Sequence, residues 1–276
     1  METVAILLVI ISTTLILMGV QCMCLPSDKV DALNYPFGRA MGRDMARLLF
    51  DFSIGLSAFD ETLSNHKVLD FACGTGWTTE LLNRAGYDVH AFDVDPAAIK
   101  QAKLRPKLDP RIDRARFHAS VSDGHTLAYP DATFGHVFCF DSLHHMKDYD
   151  RVFREMHRVL VPGGRAIFIE PGSRHSTSMQ TQKFLADHPI GDWWIERDVD
   201  LLAIWRQISD IGFLELRVKP YMLPSMVDFS FIDWYNILDN PVGISNYMLE
   251  LRRFTYEDRV MFYLSKSSHC ADQGLI

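Results

Sequence analysis

From Lys67 onward the chain alternates short apolar runs with amphipathic segments: KVLDFA, YDVHAFDV, ARFHAS, FGHVFCF and GRAIFIE are separated by helical stretches at 77–85, 96–104, 149–160 and 198–211. Apolar runs of that length predict strands, and their alternation with helices predicts a mostly parallel sheet covered on both faces. Asp95 followed by Pro96 reads as an N-cap and first-turn proline, and Pro162, Gly163 and Gly164 are placed to close a helix before the next strand. Residues 213–219 and 259–266 read as two further strands. Between them, 220–258 is an irregular insertion holding Tyr221, Phe229, Phe231, Trp234, Tyr235 and Tyr247. It is either additional core or a lid over a substrate, because long loops in compact domains are uncommon and often functional.

The 276 residues, 48% hydrophobic and 23% charged, suffice for one large α/β domain. A net charge of -7 argues against binding nucleic acid through phosphate contacts. The five cysteines, Cys22, Cys24, Cys73, Cys139 and Cys270, show no paired CxxC spacing, which favours reduced thiols over a zinc site or a disulfide framework.

The first 25 residues differ from the rest. Residues 4–20 are apolar apart from Ser12, Thr13, Thr14 and Gly19, close to the roughly 20 residues needed to cross a bilayer. Glu2 in place of a basic n-region and QCMCLP as a poor cleavage site favour a membrane anchor over a signal peptide, with an early start codon as a further alternative. Lys29, Arg39, Arg43 and Arg47 follow, so the domain is expected on the cytoplasmic face of the membrane. The resulting division is an anchor at 1–25, a linker and amphipathic helical lead-in at 26–66 (Met41, Met45, Leu48, Leu49 and Phe52 at helical spacing), and a catalytic domain at 67–276.

In an open parallel sheet, ligands bind at the carboxyl ends of the strands. There the first strand runs into Ala72-Cys73-Gly74-Thr75-Gly76, whose glycines would let the backbone approach a ligand and whose N–H groups would favour a carboxylate or phosphate. A dinucleotide fingerprint needs a third glycine where this chain has Thr79, and the lysine of a phosphate-binding P-loop is absent. Asp70 before the loop suits a ligand carrying an ammonium group, and Asp93 at the end of the next strand can accept from ribose hydroxyls. Either acid alone could instead cap a helix or a turn.

VLDFACGTGW resembles the glycine-rich first motif of class I S-adenosylmethionine-dependent methyltransferases of the small-molecule, type 11-like group, with Ala72 where that group usually has glycine. SDGHTLAYPD at 122–131 is similar to the family's GDAxxLPFPD, FGHV at 134–137 to FDxV with Gly135 replacing the acid, LHH at 143–145 to the motif after the fourth strand, and REMHRVLVPGG at 154–164 to RExxRVLKPGG. The resemblance implies a Rossmann-like fold with a seven-stranded, mostly parallel sheet, preceded here by the N-terminal hydrophobic helix. It implies S-adenosyl-L-methionine as cofactor, with Asp70, Gly74 and Gly76 around its methionine part, Asp93 at the ribose and Asp123 by the adenine amino group, and with Ala72, Val94, Gly124 and Phe140 as further cofactor-binding residues.

A sulfonium methyl is already activated, so a general base is needed only for a hydroxyl or carbon acceptor. His145 and then Asp141, in FDSLHH, are the base candidates, unless the histidines only cap a helix or line the pocket. No metal is expected, for no HExxH or spaced carboxylate set is present. The acceptor is a small molecule or, if the anchor and Trp193, Trp194, Phe231, Trp234 and Tyr235 cooperate, a lipid-like one. The alternatives are a noncatalytic S-adenosylmethionine-binding protein or an aminopropyl-type transferase on the same fold.

Overall fold

The computed structural model describes residues 33–37, 42–187, 195–219, 230–232, 235, 240–252 and 259–268. The expected anchor at 1–25, together with Trp193, Trp194 and Trp234, lies outside the described residues. Among the described residues no helix is long and apolar enough to cross a membrane.

Seven strands, β1 (Lys67–Phe71), β2 (Asp88–Asp93), β3 (Phe117–Val121), β4 (Phe134–Phe140), β5 (Leu160–Pro171), β6 (Phe213–Lys219) and β7 (Arg259–Lys266), form one sheet in the order β3-β2-β1-β4-β5-β7-β6. The first five pair parallel, and β7 inserts antiparallel between β5 and β6. The helices are α1 (Gly42–Leu56), α2 (Trp77–Arg84), α3 (Pro96–Ala102), α4 (Arg105–Leu108), α5 (Tyr149–Val159), α6 (Met179–Asp187), α7 (Leu201–Ile211) and α8 (Pro241–Arg252).

Alternate strand residues feed two separate cores. Val137, Cys139, Ala166, Phe168, Phe262 and Leu264 pack with Val152, Phe153 and Met156 of α5 and Ile204 and Ile208 of α7. Their neighbours Phe138, Phe140, Ile167, Ile169, Met261 and Tyr263 pack on the opposite face with Leu48 and Phe52 of α1 and Trp77 and Leu82 of α2. A strand covered on both faces needs apolar residues toward both, which is why these segments read as near-continuous runs rather than alternating ones.

Two local expectations change. The Pro162-Gly163-Gly164 stretch does not terminate α5, because β5 already starts at Leu160, whose extended backbone (φ -74°, ψ 138°) ends the helix. The helix carbonyls of Arg158 and Val159 accept from Ala132 N and Thr133 N, and the Pro-Gly-Gly residues form a bulge in β5 between its pairings Leu160 with Phe134 and Arg165 with His136. The 220–258 insertion is not wholly irregular, since α8 occupies part of it. Gly135 also acquires a reason: a Cβ there would lie 2.2 Å from the backbone oxygen of Asn65, too close for the acid usual in the family.

Candidate active site

The strand β1 delivers Asp70 to the carboxyl end of the sheet, buried at 1% exposure. Its Oδ2 accepts from Thr78 Oγ1 at 2.8 Å and Thr79 Oγ1 at 2.5 Å, both in the first turn of α2, while Oδ1 has no partner. Burial pushes the carboxyl up to about 6, against the pull of the two hydroxyls. Thr79, which in the sequence counts only as a missing glycine, therefore holds the acid in place.

Asp93 ends β2 and organises the glycine loop. Its Oδ2 accepts from Gly74 N at 2.8 Å and its Oδ1 from Asp95 N at 2.9 Å, and burial raises its pKa. Within the loop, Cys73 N donates to Phe92 O and Gly76 N to Cys73 O. The amides of 73, 74 and 76 are thus spent inside the protein, a correction to the expectation that they would meet a ligand carboxylate.

Ala72 has φ 54° and Gly74 φ 53°, both left-handed. A non-glycine residue there is strained by roughly 1–2 kcal/mol, which accounts for the glycine usual at position 72. Gly76 (φ 79°) plays a different part from the one expected. It does not line the cavity, and a Cβ on it would come within 2.9 Å of Ala102 Cβ, so it serves the packing of the loop against α3.

A cavity of about 260 Å³ opens at this end of the sheet. It gathers Asp70, Ala72, Gly74, Asp93, Val94, Asp123, Gly124 and Phe140, together with Asp141 and His145; of the cofactor and base candidates only Gly76 is left out, whereas Phe231 and Tyr235, expected at an acceptor pocket, are exposed and do not line the cavity. Asp123 accepts from His125 N at 2.5 Å, so it caps its own turn as well as facing the cavity. Gly124 lies against Phe71, where a Cβ would meet the ring at 2.2 Å. Tyr35, Trp77 and Met146 add an apolar wall that sequence reasoning missed, Tyr35 packing edge-on to Trp77 with ring centroids 5.8 Å apart.

The two base candidates are held differently. Asp141, also left-handed at φ 50°, forms a very short ion pair with buried Arg259, which bridges on to Asp51 of α1. Burial would raise the Asp141 carboxyl, but the Arg259 charge and hydrogen bond hold it low. That makes it a counterion, not a base.

His145 Nδ1 lies 2.8 Å from Ile195 O. A carbonyl only accepts, so the ring proton sits on Nδ1 and the lone pair on Nε2. Burial, then the neighbouring His144, pushes its pKa down to about 3, so the ring is neutral at physiological pH.

Behind it is a cluster that the sequence does not reveal. Buried Glu170, at the end of β5, accepts from the N–H groups of Ser142 (3.1 Å), Leu143 (3.0 Å) and His144 (3.4 Å), and from His144 Nδ1 at 2.8 Å. Glu196 receives His175 Nε2 at 2.5 Å. Burial would raise the Glu196 carboxyl, but that hydrogen bond and the surrounding histidines bring it down to about 2. The only hint in the sequence is a charged residue ending a buried apolar run, as Glu170 ends GRAIFIE.

The donor set fits S-adenosylmethionine. The unpartnered Asp70 oxygen suits an ammonium group, the Asp93 oxygens retain lone pairs for ribose hydroxyls, and Val94 and Phe140 offer apolar flanks.

Residues 69–168 match the methyltransferase-domain family. The chain is 38% identical over 103 residues to methyltransferase GfsG of Streptomyces halstedii, covering 37% of this chain and 36% of that protein. It is 32% identical over 180 residues to the demethylmenaquinone methyltransferase of Anoxybacillus flavithermus, covering 56% of this chain and 73% of the relative. The geranyl diphosphate C-methyltransferase of Streptomyces coelicolor shares the fold with a TM-score of 0.56 at 14% identity, over 87% of this chain and 86% of that one. With the sheet order, the acid-flanked glycine loop and these likenesses together, the chain belongs to the class I S-adenosylmethionine-dependent methyltransferases.

Proposed function

We propose that the protein transfers the methyl group of S-adenosylmethionine to a small acceptor with an apolar body, of the quinone, prenyl or polyketide kind. The observation that carries this is one cavity lined both by the acids Asp70 and Asp93 and by the aromatic rings of Tyr35 and Trp77. Relatives named for demethylmenaquinone and a fold neighbour named for geranyl diphosphate support an acceptor of that class.

When bound, the cofactor supplies an electrophilic methyl on a sulfonium that departs as a neutral thioether. The chain's own contribution is alignment. Asp70 and Asp93 fix one reactant, the aromatic wall excludes water and seats the other, and His145, neutral with its lone pair on Nε2, is placed to take a proton from an acceptor hydroxyl. An anchor formed by residues 4–20 would bring such an acceptor from the bilayer to the cytoplasmic face, as a lipid-like substrate requires.

The test is transfer of labelled methyl from S-adenosylmethionine into a panel of demethylated quinols, prenyl diphosphates and hydroxylated polyketides. Labelling of at least one apolar acceptor is expected. Cofactor binding with no labelling would instead favour the noncatalytic binding protein. If a variant lacking residues 1–25 methylated only a polar, water-soluble acceptor, the lipid-like class would be abandoned. His145→Ala is expected to lower kcat by roughly 10²–10⁴ with cofactor affinity unchanged. A rise in KM alone would reduce His145 to a lining residue.

Cofactor affinity should also depend on pH through Asp70. Its carboxyl titrates at about 6, and only the ionised form attracts an ammonium group. Binding of S-adenosylhomocysteine, measured by calorimetry, is expected to be about tenfold weaker at pH 5 than at pH 7. Asp70→Asn should weaken binding at pH 7 and flatten that dependence. A wild-type affinity independent of pH across this range would place the ammonium elsewhere.

A further inference from the structure

Among the described residues, two side-chain clusters have the composition of a metal site, and their hydrogen bonding separates them. His144, His145 and Glu196 are internally satisfied: His144 Nδ1 is bound to Glu170, His145 Nδ1 to Ile195 O, and Glu196 to His175. The second cluster, Asp88, His90 and His118, lies on β2 and β3. There Asp88 Oδ1 and His90 Nε2 are buried with no hydrogen-bond partner.

Sheet geometry brings the three together. His90 and His118 are register partners on adjacent parallel strands, and Asp88, two residues before His90, projects from the same face. Asp88 Oδ1 lies 3.2 Å from His118 Nε2 and 3.6 Å from His90 Nε2. Two metal–ligand bonds of about 2.1 Å at a tetrahedral angle separate their ligand atoms by about 3.4 Å. Tyr129 and Phe134 pack edge-on against the His90 ring and fix its direction. The Lys67 ammonium lies 4.0 Å from the other Asp88 oxygen, Oδ2.

We propose that Asp88, His90 and His118 form a binding site for one divalent transition-metal ion of the zinc class, with water completing the coordination. Imidazole with a single carboxylate is the donor set such ions take, whereas calcium and magnesium prefer all-oxygen sites. The two rings stack with centroids 4.3 Å apart and planes 28° apart, so closing them on one ion takes a turn of the His118 ring. Its side chain is 46% exposed and free to make that turn.

Asp88 begins the strand that Asp93 ends, about 16 Å away at roughly 3.3 Å per residue, so the ion would not touch the cofactor cavity. It would tie β3, the edge strand of the sheet, to β2.

The experiment is calorimetric titration of chelator-stripped full-length protein with Zn²⁺, alongside His118→Ala and Asp88→Asn. The wild type is expected to take up one equivalent that both variants lose or hold at least about tenfold more weakly. Zn²⁺ should raise the Tm of the wild type but of neither variant. Unchanged S-adenosylhomocysteine affinity certifies that the variants are folded; should Asp88→Asn fail this check, exposed His118→Ala decides alone. Zinc held by cysteines or by the His144 cluster would survive in both variants. No uptake by the wild type, or wild-type affinity in a folded His118→Ala, overturns the proposal.

Discussion

Asp93→Ala is expected to weaken S-adenosylhomocysteine binding by about a hundredfold or more, read by calorimetry at pH 7.5. The carboxylate accepts from Gly74 N in the glycine loop and from Asp95 N in the turn after β2, so its removal loosens both segments at this end of the sheet. Hydrogen bonds to a charged group contribute about 1.5–3 kcal/mol each, and each 1.4 kcal/mol is a tenfold change in affinity. Losing the proposed ribose acceptor would add to the loss of loop order. Asp93→Asn should fall between, since its amide oxygen can accept from one N–H while its NH₂ faces the other. Wild-type affinity in Asp93→Ala would remove this residue from the ribose and leave it only a turn-forming role.

What could be read from sequence here follows the range of the interaction. The strands were legible because β4, β5 and β7 are buried on both faces and so carry apolar residues toward both. Asp70, Gly74 and Asp93 were legible as positions, because a loop at the end of a parallel strand has only one crevice to face. Their partners were less so: Thr79 reads as an absent glycine until its hydroxyl is seen on Asp70. The glycines could not be told apart, since a left-handed φ is required both at Gly74 on the cavity and at Gly76 against Ala102.

Chemistry set by distant residues was not legible. Asp141 as a base is undone by Arg259, 118 positions along the chain, and the tautomer of His145 is set by a carbonyl 50 positions away. Neither pairing leaves a local pattern, because each depends on which strands and loops the sheet makes neighbours.

The most disruptive single change expected in this protein is Glu170→Ala. Glu170 is fully buried and accepts from three consecutive backbone N–H groups at 142–144 and from the His144 ring. Alanine leaves all four donors without a partner away from water, and breaking a buried charged pair in this way costs about 3–5 kcal/mol. That is a large share of a typical stability of about 5–15 kcal/mol, so urea unfolding should show a clearly lower midpoint. Glu170→Gln keeps one acceptor oxygen for the turn but turns an NH₂ toward His144 Nδ1, and should recover part of the loss. The two effects separate by pH. Burial alone would lower the His144 pKa, but the Glu170 hydrogen bond and charge raise it above 6.5. The resulting stabilisation is therefore fully present below pH 6.5 and disappears as pH rises through the folded-state value. The wild type should lose stability over that window, whereas Glu170→Gln should not, so their unfolding midpoints converge toward high pH. Midpoints that stay equally far apart from pH 6 to pH 9 would assign the effect of Glu170 to the backbone turn alone.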